Sequence, residues 1–146
     1  DFYHMPTYHT PFEAYDESEQ HEKYPLYHYC ERTRWHLHTQ YNHAPVLREL
    51  DPEPYLRMNP VDAEPRGIVE GDYVEAYNDR GHCVCKVKFD MGVRPGMVSS
   101  PKGWHRGAYV SGSYQELTSD HLNLLHMNTS FDDTLVEVRK YEGEVK

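Results

Sequence analysis

The stretch NPVDAEPRGIVEGDYVEAYNDRGHCVCKVKF, residues 59–89, carries the strongest local signals for the fold. Asn59 is a favourable helix N-cap, proline is favourable at the first helical position that follows, and Asp62 places a negative charge in the first turn. The Pro-Arg-Gly sequence at 65–67 predicts that this helix ends after one or two turns. The stretch therefore begins with a short helix.

The second half of the stretch predicts a β-hairpin. Tyr73–Tyr77 and His82–Phe89 are rich in β-branched and aromatic residues, and the Asn-Asp-Arg-Gly sequence at 78–81 reverses the chain between them. Alternation in the returning strand predicts one apolar face. That face consists of Cys83, Cys85, Val87 and Phe89.

Four more short strands are predicted, at residues 26–30, 55–58, 97–99 and 135–141. Short strands separated by turns, with little helix, are typical of a small β-barrel. We therefore expect a mainly all-β fold with one or two short helices. The long loop at 101–113, rich in Gly and Ser, is expected to be functional.

Length and composition limit the class of protein. The chain has 146 residues and 17.3 kDa, with 38% hydrophobic and 27% charged residues and a mean hydropathy of -0.89. These values fit one domain with a thin core. No run approaches the roughly 18 apolar residues of a membrane helix, so direct membrane insertion is not expected. The net charge of -9 argues against a general nucleic-acid binder.

The first 25 residues differ from the rest of the chain. They contain six acidic side chains against one lysine, with three prolines and no apolar period. We interpret residues 1–25 as an extended acidic lead-in, residues 26–141 as the barrel domain and residues 142–146 as a tail. The lead-in is expected to pack through its aromatic residues Tyr3, Tyr8, Phe12 and Tyr15.

The most unusual segment is RTRWHLHTQYNH at residues 32–43, which has two arginines, three histidines and no acidic residue. Arginine forks match phosphate geometry, and Thr, Gln and Asn side chains supply donors to heterocycle edges. This composition fits a pocket for an anionic, ring-bearing ligand. It fits equally well a solvated loop whose arginines pair with the acidic lead-in.

A metal site is a weaker interpretation of the same segment. His36 and His38 would share one face of a strand, but no third ligand has a convincing spacing. Cys30, Cys83 and Cys85 are interpreted as small hydrophobic residues, because Cys83 and Cys85 are too close along one strand for a relaxed disulfide.

A second mixture of aromatic and cationic groups is KGWHR at residues 102–106. Neither this cluster nor the rest of the chain contains a Gly-rich phosphate loop or a nucleophile elbow. The sequence therefore predicts no complete active site.

Residues 59–74 resemble the N-P-x-D-A-x-x-x-G-I-x-x-G-D-x-V signature of one family, the C-terminal molybdopterin-dinucleotide-binding domain of the dimethyl-sulfoxide-reductase superfamily of molybdenum and tungsten oxidoreductases. RWHLHT at 34–39 resembles the family's R-W-x-x-H-S/T loop, MPTY at 5–8 resembles its Leu-Pro-Thr-Tyr lead-in, and the Pro-Gly turn at 95–96 also agrees. The resemblance covers essentially residues 1–141.

The resemblance implies a double-psi β-barrel, aspartate-decarboxylase-like, whose loops bind the pterin and phosphate parts of two molybdopterin guanine dinucleotides carrying Mo or W. The family has Asn-x-Leu-Thr where this chain has Gln-Glu-Leu-Thr at 115–118, and Gln keeps the amide. The cofactor-binding residues implied for this chain are Thr33, Arg34, His36, His38, Thr39, Gln40, Trp104, His105, Gln115 and Asn128.

The resemblance also implies partners. The protein ligand to the metal and any iron–sulfur cluster would come from upstream domains of the same polypeptide, and an iron–sulfur electron-transfer subunit would accompany the enzyme. This domain alone is not expected to catalyse a reaction. The compartment stays open between export and the cytoplasm of a prokaryote, because an export signal would precede Asp1.

Two alternatives of another class stay open at this point. One is a stand-alone, non-enzymatic barrel that binds a simpler nucleotide. The other is a His-rich metal-binding protein, which would hold stoichiometric zinc, nickel or copper through His36 and His38.

Overall fold

The computed structural model describes residues 5, 7–124 and 127–145 and shows a closed six-stranded β-barrel. The barrel strands are β1 Leu26–Glu31, β2 Tyr55–Met58, β3 Tyr73–Tyr77, β4 His82–Phe89, β5 Met97–Pro101 and β9 Thr134–Lys140. They follow one another around the barrel in the order β2-β5-β1-β9-β3-β4, and pairing of β2 with β4 closes the ring. Outside the ring, β6 Ser111–Gly112 pairs with the start of β4, and β7 Leu122–Asn123 forms a separate hairpin with β8 Asn128–Thr129.

Two of the pairings are parallel, β1 with β5 and β2 with β4, while the other pairings in the ring are antiparallel. Parallel neighbours need long crossover connections rather than tight turns. This arrangement is the double-psi barrel that the resemblance predicts. Because β1 and β5 run in the same direction, the loops that follow Glu31 and Pro101 leave the barrel at the same end.

The core lies inside the ring and is formed by alternate residues of the strands. Leu56, Met58, Val74, Val87 and Val98 are fully buried. The predicted apolar face of β4 is confirmed at its first three positions, and Phe89 is half-buried at the end of the strand. All three cysteines are free thiols.

The short helix predicted at Asn59 is confirmed as α3, Pro60–Ala63. The Asn59 side chain accepts the backbone N–H of Val61 at 3.0 Å, and a 3-10 turn, Glu64–Arg66, continues the helix to Gly67 in the left-handed region. The local signals were sufficient here because cap, proline and glycine all act within one turn.

Two other short helices were not predicted. The lead-in, expected to be extended, contains α1, Glu19–Lys23, capped by Ser18. The connection between β1 and β2 contains α2, Pro45–Leu50, which has no side-chain cap and no buried residue. Helix α2 lacks an apolar face towards the core, so hydrophobic periodicity does not reveal it.

The lead-in is attached to the barrel by polar contacts. The buried Glu13 carboxylate accepts hydrogen bonds from both terminal nitrogens of Arg80, at 2.7 and 2.8 Å. It also accepts one from the backbone N–H of Leu135 at 3.0 Å. The expected aromatic packing is wrong at Tyr8, which is 83% exposed. Phe12 is also exposed, but its ring stacks on that of His121 with centroids 4.6 Å apart. Tyr15 is half-buried, and Tyr3 lies outside the described residues. The proposed division of the chain at residue 26 stays a prediction.

Within residues 5, 7–124 and 127–145, no helix has the length and apolar character needed to cross a membrane.

Candidate functional site

The loop after β1 and the loop after β5 pack backbone against backbone. Gly103 has a φ of +98°, and a Cβ at this position would lie 1.8 Å from the carbonyl oxygen of His38. The Asn42 side-chain amide donates to the Gly103 carbonyl. Only glycine permits this approach, so the two loops form one surface at this end of the barrel.

A cleft of about 370 Å³ lies beside this junction. Its walls come from four separate segments of the chain, and its described lining residues include no Asp or Glu. They offer an ammonium, an imidazole, an amide, hydroxyl groups and two aromatic rings. The lining residues are His38, Lys102, Tyr114, Gln115, Thr118, Thr129 and Phe131.

Lys102 provides the positive charge of the cleft. Its Nζ lies 5.3 Å from the centroid of the Phe131 ring, a distance at which the ring face attracts a cation. Among the ion pairs of the described residues, none involves Lys102. The Lys102 ammonium is therefore not held in an ion pair by a described carboxylate and is available to an anionic ligand.

Two smaller cavities adjoin the same loops. A recess of about 40 Å³ shares His38 and Lys102 with the cleft and is also lined by Arg32, Thr33, His36 and Leu37. A cavity of about 170 Å³ is lined by Thr39, Asn42, His43, Arg48, Gly103 and His105. Neither has an acidic residue in its lining, and the Oδ1 atom of Asn42 is buried without a partner. The donor set of all three cavities fits a phosphate-bearing heterocyclic ligand.

The side chains on one wall of the cleft pack on a buried polar group. The His28 ring stacks 6.4 Å from that of Tyr114, and its Nε2 lies 3.0 Å from Ser100 Oγ. Burial lowers the pKa of His28 to about 4 and raises the pKa of the Cys30 thiol to about 12. Burial also raises the pKa of Tyr114. Both His28 and Cys30 are uncharged at neutral pH, so the charged groups beside this wall are the Lys102 ammonium and the Asp132 carboxylate, which accepts the Cys30 backbone N–H at 2.8 Å.

The structure brings some of the predicted site residues together and separates others. His38 and Gln115 line the cleft, Thr33 and His36 line the recess, and Thr39 and His105 line the third cavity. Four predicted residues line none of these three cavities. They are Arg34, Gln40, Trp104 and Asn128.

His36 and Trp104 are both deeply buried. The His36 side chain is 3% exposed, and its Nε2 lies 3.2 Å from Asp51 Oδ2. Trp104 is 5% exposed and belongs to the hydrophobic core. Their rings meet edge to face, with centroids 5.1 Å apart. Trp104 lines none of the three cavities, and His36 borders only the recess of about 40 Å³.

Arg34 and Asn128 are exposed, and neither contacts the cleft in this conformation. The Arg34 guanidinium lies 5.0 Å from the centroid of the Trp35 ring. Asn128 lies in β8, where its Oδ1 accepts the backbone N–H of Thr129. The adjacent Thr129, rather than Asn128, lines the cleft.

Sequence reasoning missed Lys102, Thr129 and Asp51 as residues of this region. Lys102 directly precedes the Gly-Trp pair in the second aromatic and cationic cluster, and this position was a usable signal. Asp51 had no comparable signal, because its partner His36 is 15 residues away and helix α2 between them was not predicted.

A larger cavity, of about 500 Å³, lies at the opposite end of β1 and β5 and is lined by Asp16, His21, Tyr27 and Arg94 among others. Its lining includes a carboxylate, which accepts the Tyr27 hydroxyl. This cavity is less suited to an anionic ligand than the cleft at Lys102. For the metal alternative, the part of the chain that the structure describes contains no group of three or more His, Cys, Asp or Glu able to hold an ion.

Comparison with known proteins identifies the family of this chain. Residues 26–135 match the family model described as the molydopterin dinucleotide binding domain. The chain belongs to this family, and the resemblance predicted from residues 59–74 is confirmed.

Relatives of this chain include dimethyl sulfoxide reductases and a hydroxytransferase. This chain is 38% identical over 106 residues to the dimethyl sulfoxide reductase DmsA of Haemophilus influenzae, and the alignment covers 69% of this chain and 12% of the relative. It is 32% identical over 165 residues to the pyrogallol hydroxytransferase large subunit of Pelobacter acidigallici, covering 97% of this chain and 19% of the relative. The dimethyl sulfoxide/trimethylamine N-oxide reductase of Rhodobacter capsulatus is 34% identical over 152 residues, with coverage of 94% and 18%. The chain thus spans less than a fifth of the length of these relatives.

The fold itself has a solved counterpart. The acetylene hydratase from Pelobacter acetylenicus superposes with a TM-score of 0.81 over 94% of this chain and 21% of that one, at 19% identity. The agreement at this low identity establishes the barrel fold.

Proposed function

We propose that this chain binds molybdopterin guanine dinucleotide within a longer oxidoreductase polypeptide, and that the cleft at Lys102 receives the anionic and heterocyclic parts of the cofactor. The observation that carries the proposal is the acid-free cleft with an unpaired lysine, in a domain of the molydopterin dinucleotide binding family. A net acidic chain would otherwise have little reason to keep such a cleft clear of carboxylates.

The chemistry of the cleft assigns a role to each type of group. Lys102 supplies a full positive charge for a phosphate oxygen. The Gln115 amide and the Thr118 and Thr129 hydroxyls can donate to and accept from the edges of a pterin ring. Tyr114 and Phe131 offer flat apolar surfaces to its faces.

The cofactor, when bound, supplies redox chemistry at a molybdenum or tungsten ion. The residues of this chain bind and orient the organic part of the cofactor. Thr33, Thr39 and His105 extend the binding surface into the two smaller cavities. Direct contacts from Arg34, Gln40 and Asn128 stay predictions.

The rest of the proposal concerns the longer polypeptide. Relatives several times longer than this chain support upstream domains that provide the metal ligand and, in an iron–sulfur enzyme, the cluster. An iron–sulfur electron-transfer subunit is the partner that fits a reductase. The names of the relatives point to oxygen-atom or hydroxyl transfer as the class of reaction.

The experiment uses the native protein at its full natural length. Intact mass, elemental analysis for Mo, W and phosphorus, and fluorescence of the oxidised pterin are measured for the wild type, for Lys102→Ala and for the control Lys88→Ala. Lys88 is an exposed lysine of β4 that does not line the cleft.

We expect a mass several times 17.3 kDa and one of the two metals together with phosphorus. A hydrogen bond to a charged group contributes about 1.5–3 kcal/mol, so Lys102→Ala is expected to weaken cofactor retention by roughly tenfold or more, while Lys88→Ala retains it. A native chain near 17 kDa without pterin or metal would favour the stand-alone barrel instead.

A further inference from the structure

His36 and Asp51 form a buried pair that cofactor binding as described above does not use directly. Both side chains are almost completely excluded from solvent, and Nε2 of the imidazole lies 3.2 Å from Oδ2 of the carboxylate. A buried carboxylate is costly unless it is hydrogen-bonded. The pair is therefore a strong local constraint on the backbone at both residues.

His36 lies in the loop after β1, whereas Asp51 lies at the end of helix α2. The His36 ring also contacts the loop after β5. Asp51 is the C-cap residue of α2, where its backbone N–H donates to the Leu47 carbonyl at 3.0 Å. The His36 carbonyl accepts the Thr33 hydroxyl at 3.0 Å, and the His36 ring meets Trp104 of the loop after β5. His36 thus links α2 to both loops that form the site.

The cleft residues lie directly beside this link. His38 is two residues beyond His36 and has a φ of +52°, and its carbonyl packs on Gly103, the residue after Lys102. The Gln40 N–H donates to the Leu37 carbonyl at 2.9 Å and closes the tight turn between them. A change in the position of His36 would therefore move His38 relative to Lys102.

We propose that Asp51 is a positioning residue, which acts through His36 to hold His38 and Lys102 at the separation that the cofactor requires. The inference rests on the proposed function for the identity of the ligand. His36 occupies a variable position of the R-W-x-x-H-S/T pattern, whereas His38 occupies the histidine of the pattern. The pairing of His36 with Asp51 is therefore a feature of this chain and is not part of the family signature.

Asp51 also sets the proton of His36. A carboxylate that faces Nε2 favours the tautomer with the proton on Nε2, and Nδ1 is buried without a partner. The ¹⁵N chemical shifts of the His36 ring report this tautomer directly.

The test compares Asp51→Leu, the double variant Asp51→Leu/His36→Leu and the control Glu53→Gln in the native full-length protein. Glu53 is a nearby carboxylate that pairs with Lys86 and does not line any cavity of the site. Pterin content per protein, the thermal midpoint and the exchange rate of the Gln40 amide are measured for each.

We expect Asp51→Leu to lower pterin content about tenfold, in the range found when partners that orient a binding side chain are removed, and to speed Gln40 amide exchange about tenfold. Replacing both partners of a buried polar pair by apolar residues can restore stability. The double variant is therefore expected to regain the thermal midpoint while its pterin content stays low. Glu53→Gln is expected to match the wild type in all three measurements.

Recovery of pterin content together with the thermal midpoint in the double variant would overturn the proposal, because Asp51 would then act only on stability. If the wild type holds no pterin, the proposed function fails, and the positioning claim is decided by the amide and ¹⁵N measurements alone. Unchanged Gln40 exchange in Asp51→Leu, or a wild-type His36 whose Nε2 carries no proton, would overturn it.

Discussion

Replacement of Gly103 by alanine tests whether the two site loops are locked together. The Gly103 Cα lies so close to the loop after β1 that an added Cβ would be 1.8 Å from the His38 carbonyl oxygen and 2.3 Å from its carbon. Real Cβ atoms essentially never come within 3.0 Å of another heavy atom. The backbone of one loop must therefore move by more than about 1 Å to accept the methyl group.

The expected loss of unfolding free energy in Gly103→Ala has two separate causes. An L-residue in the left-handed region costs about 1–2 kcal/mol relative to glycine, and forced overpacking of a close contact costs about 1–3 kcal/mol. Gly67 provides a matched control, because it has a φ of +65° and nothing within 4 Å of the added Cβ. Gly67→Ala is therefore expected to cost about 1–2 kcal/mol, and Gly103→Ala about 2–5 kcal/mol.

The assay is urea unfolding of both variants and the wild type, followed by far-UV circular dichroism, with pterin content measured in parallel. Gly103→Ala is expected to be the less stable variant and to lose most of its cofactor, while Gly67→Ala retains cofactor. Equal destabilisation by the two substitutions, with cofactor retained in both, would refute the conclusion that the loops meet at Gly103.

Three further substitutions test other parts of the structure. Glu13→Ala removes the bidentate partner of Arg80. We expect the free energy of unfolding in urea to fall by about 2–4 kcal/mol, because a largely buried ion pair is broken. A fall below about 0.5 kcal/mol would mean that the contact between Glu13 and Arg80 contributes little to the stability of the fold. His28 has a folded-state pKa of about 4, so the unfolded chain binds its proton first as the pH falls and stability decreases between pH 6.5 and 4, by roughly 3 kcal/mol. The free energy of unfolding of His28→Leu should not show this decrease over the same pH range. A pH dependence equal to that of the wild type would contradict the low pKa of His28. Arg34→Ala is expected to reduce pterin content without changing the thermal midpoint, because its guanidinium is exposed over Trp35; full pterin content would remove Arg34 from the site.

Helix α3 and the hairpin of β3 and β4 were predictable because their signals lie within a few residues of each other, whereas helices α1 and α2 were not predicted. The Asn59 cap and the hairpin turn at 78–81 each specify their own geometry, and the predicted bounds of β2, β3 and β4 agree with the structure. The parallel pairings of β1 with β5 and of β2 with β4 join residues far apart in the chain. No local pattern encodes them, and only the family resemblance supplied the barrel topology.

The sequence draws attention to the loop at 32–43 but does not indicate which of its side chains line the cavities. Residues of this loop line all three cavities, and positive φ values at His38 and Tyr41 break the simple alternation of a strand. Which side chains face the ligand is therefore set by tertiary contacts. His36 is turned inward by Asp51 and Trp104, and Lys102 is brought to the cleft by the parallel pairing of β1 with β5.

A structure of the native full-length protein with its cofactor bound is the most direct test of the proposed site. We expect a molybdopterin dinucleotide in the cleft, with an oxygen of the ligand within hydrogen-bond distance of Lys102 Nζ and a ring edge within reach of the Gln115 amide. A cofactor bound elsewhere on the barrel, with the cleft at Lys102 occupied only by water, would contradict it.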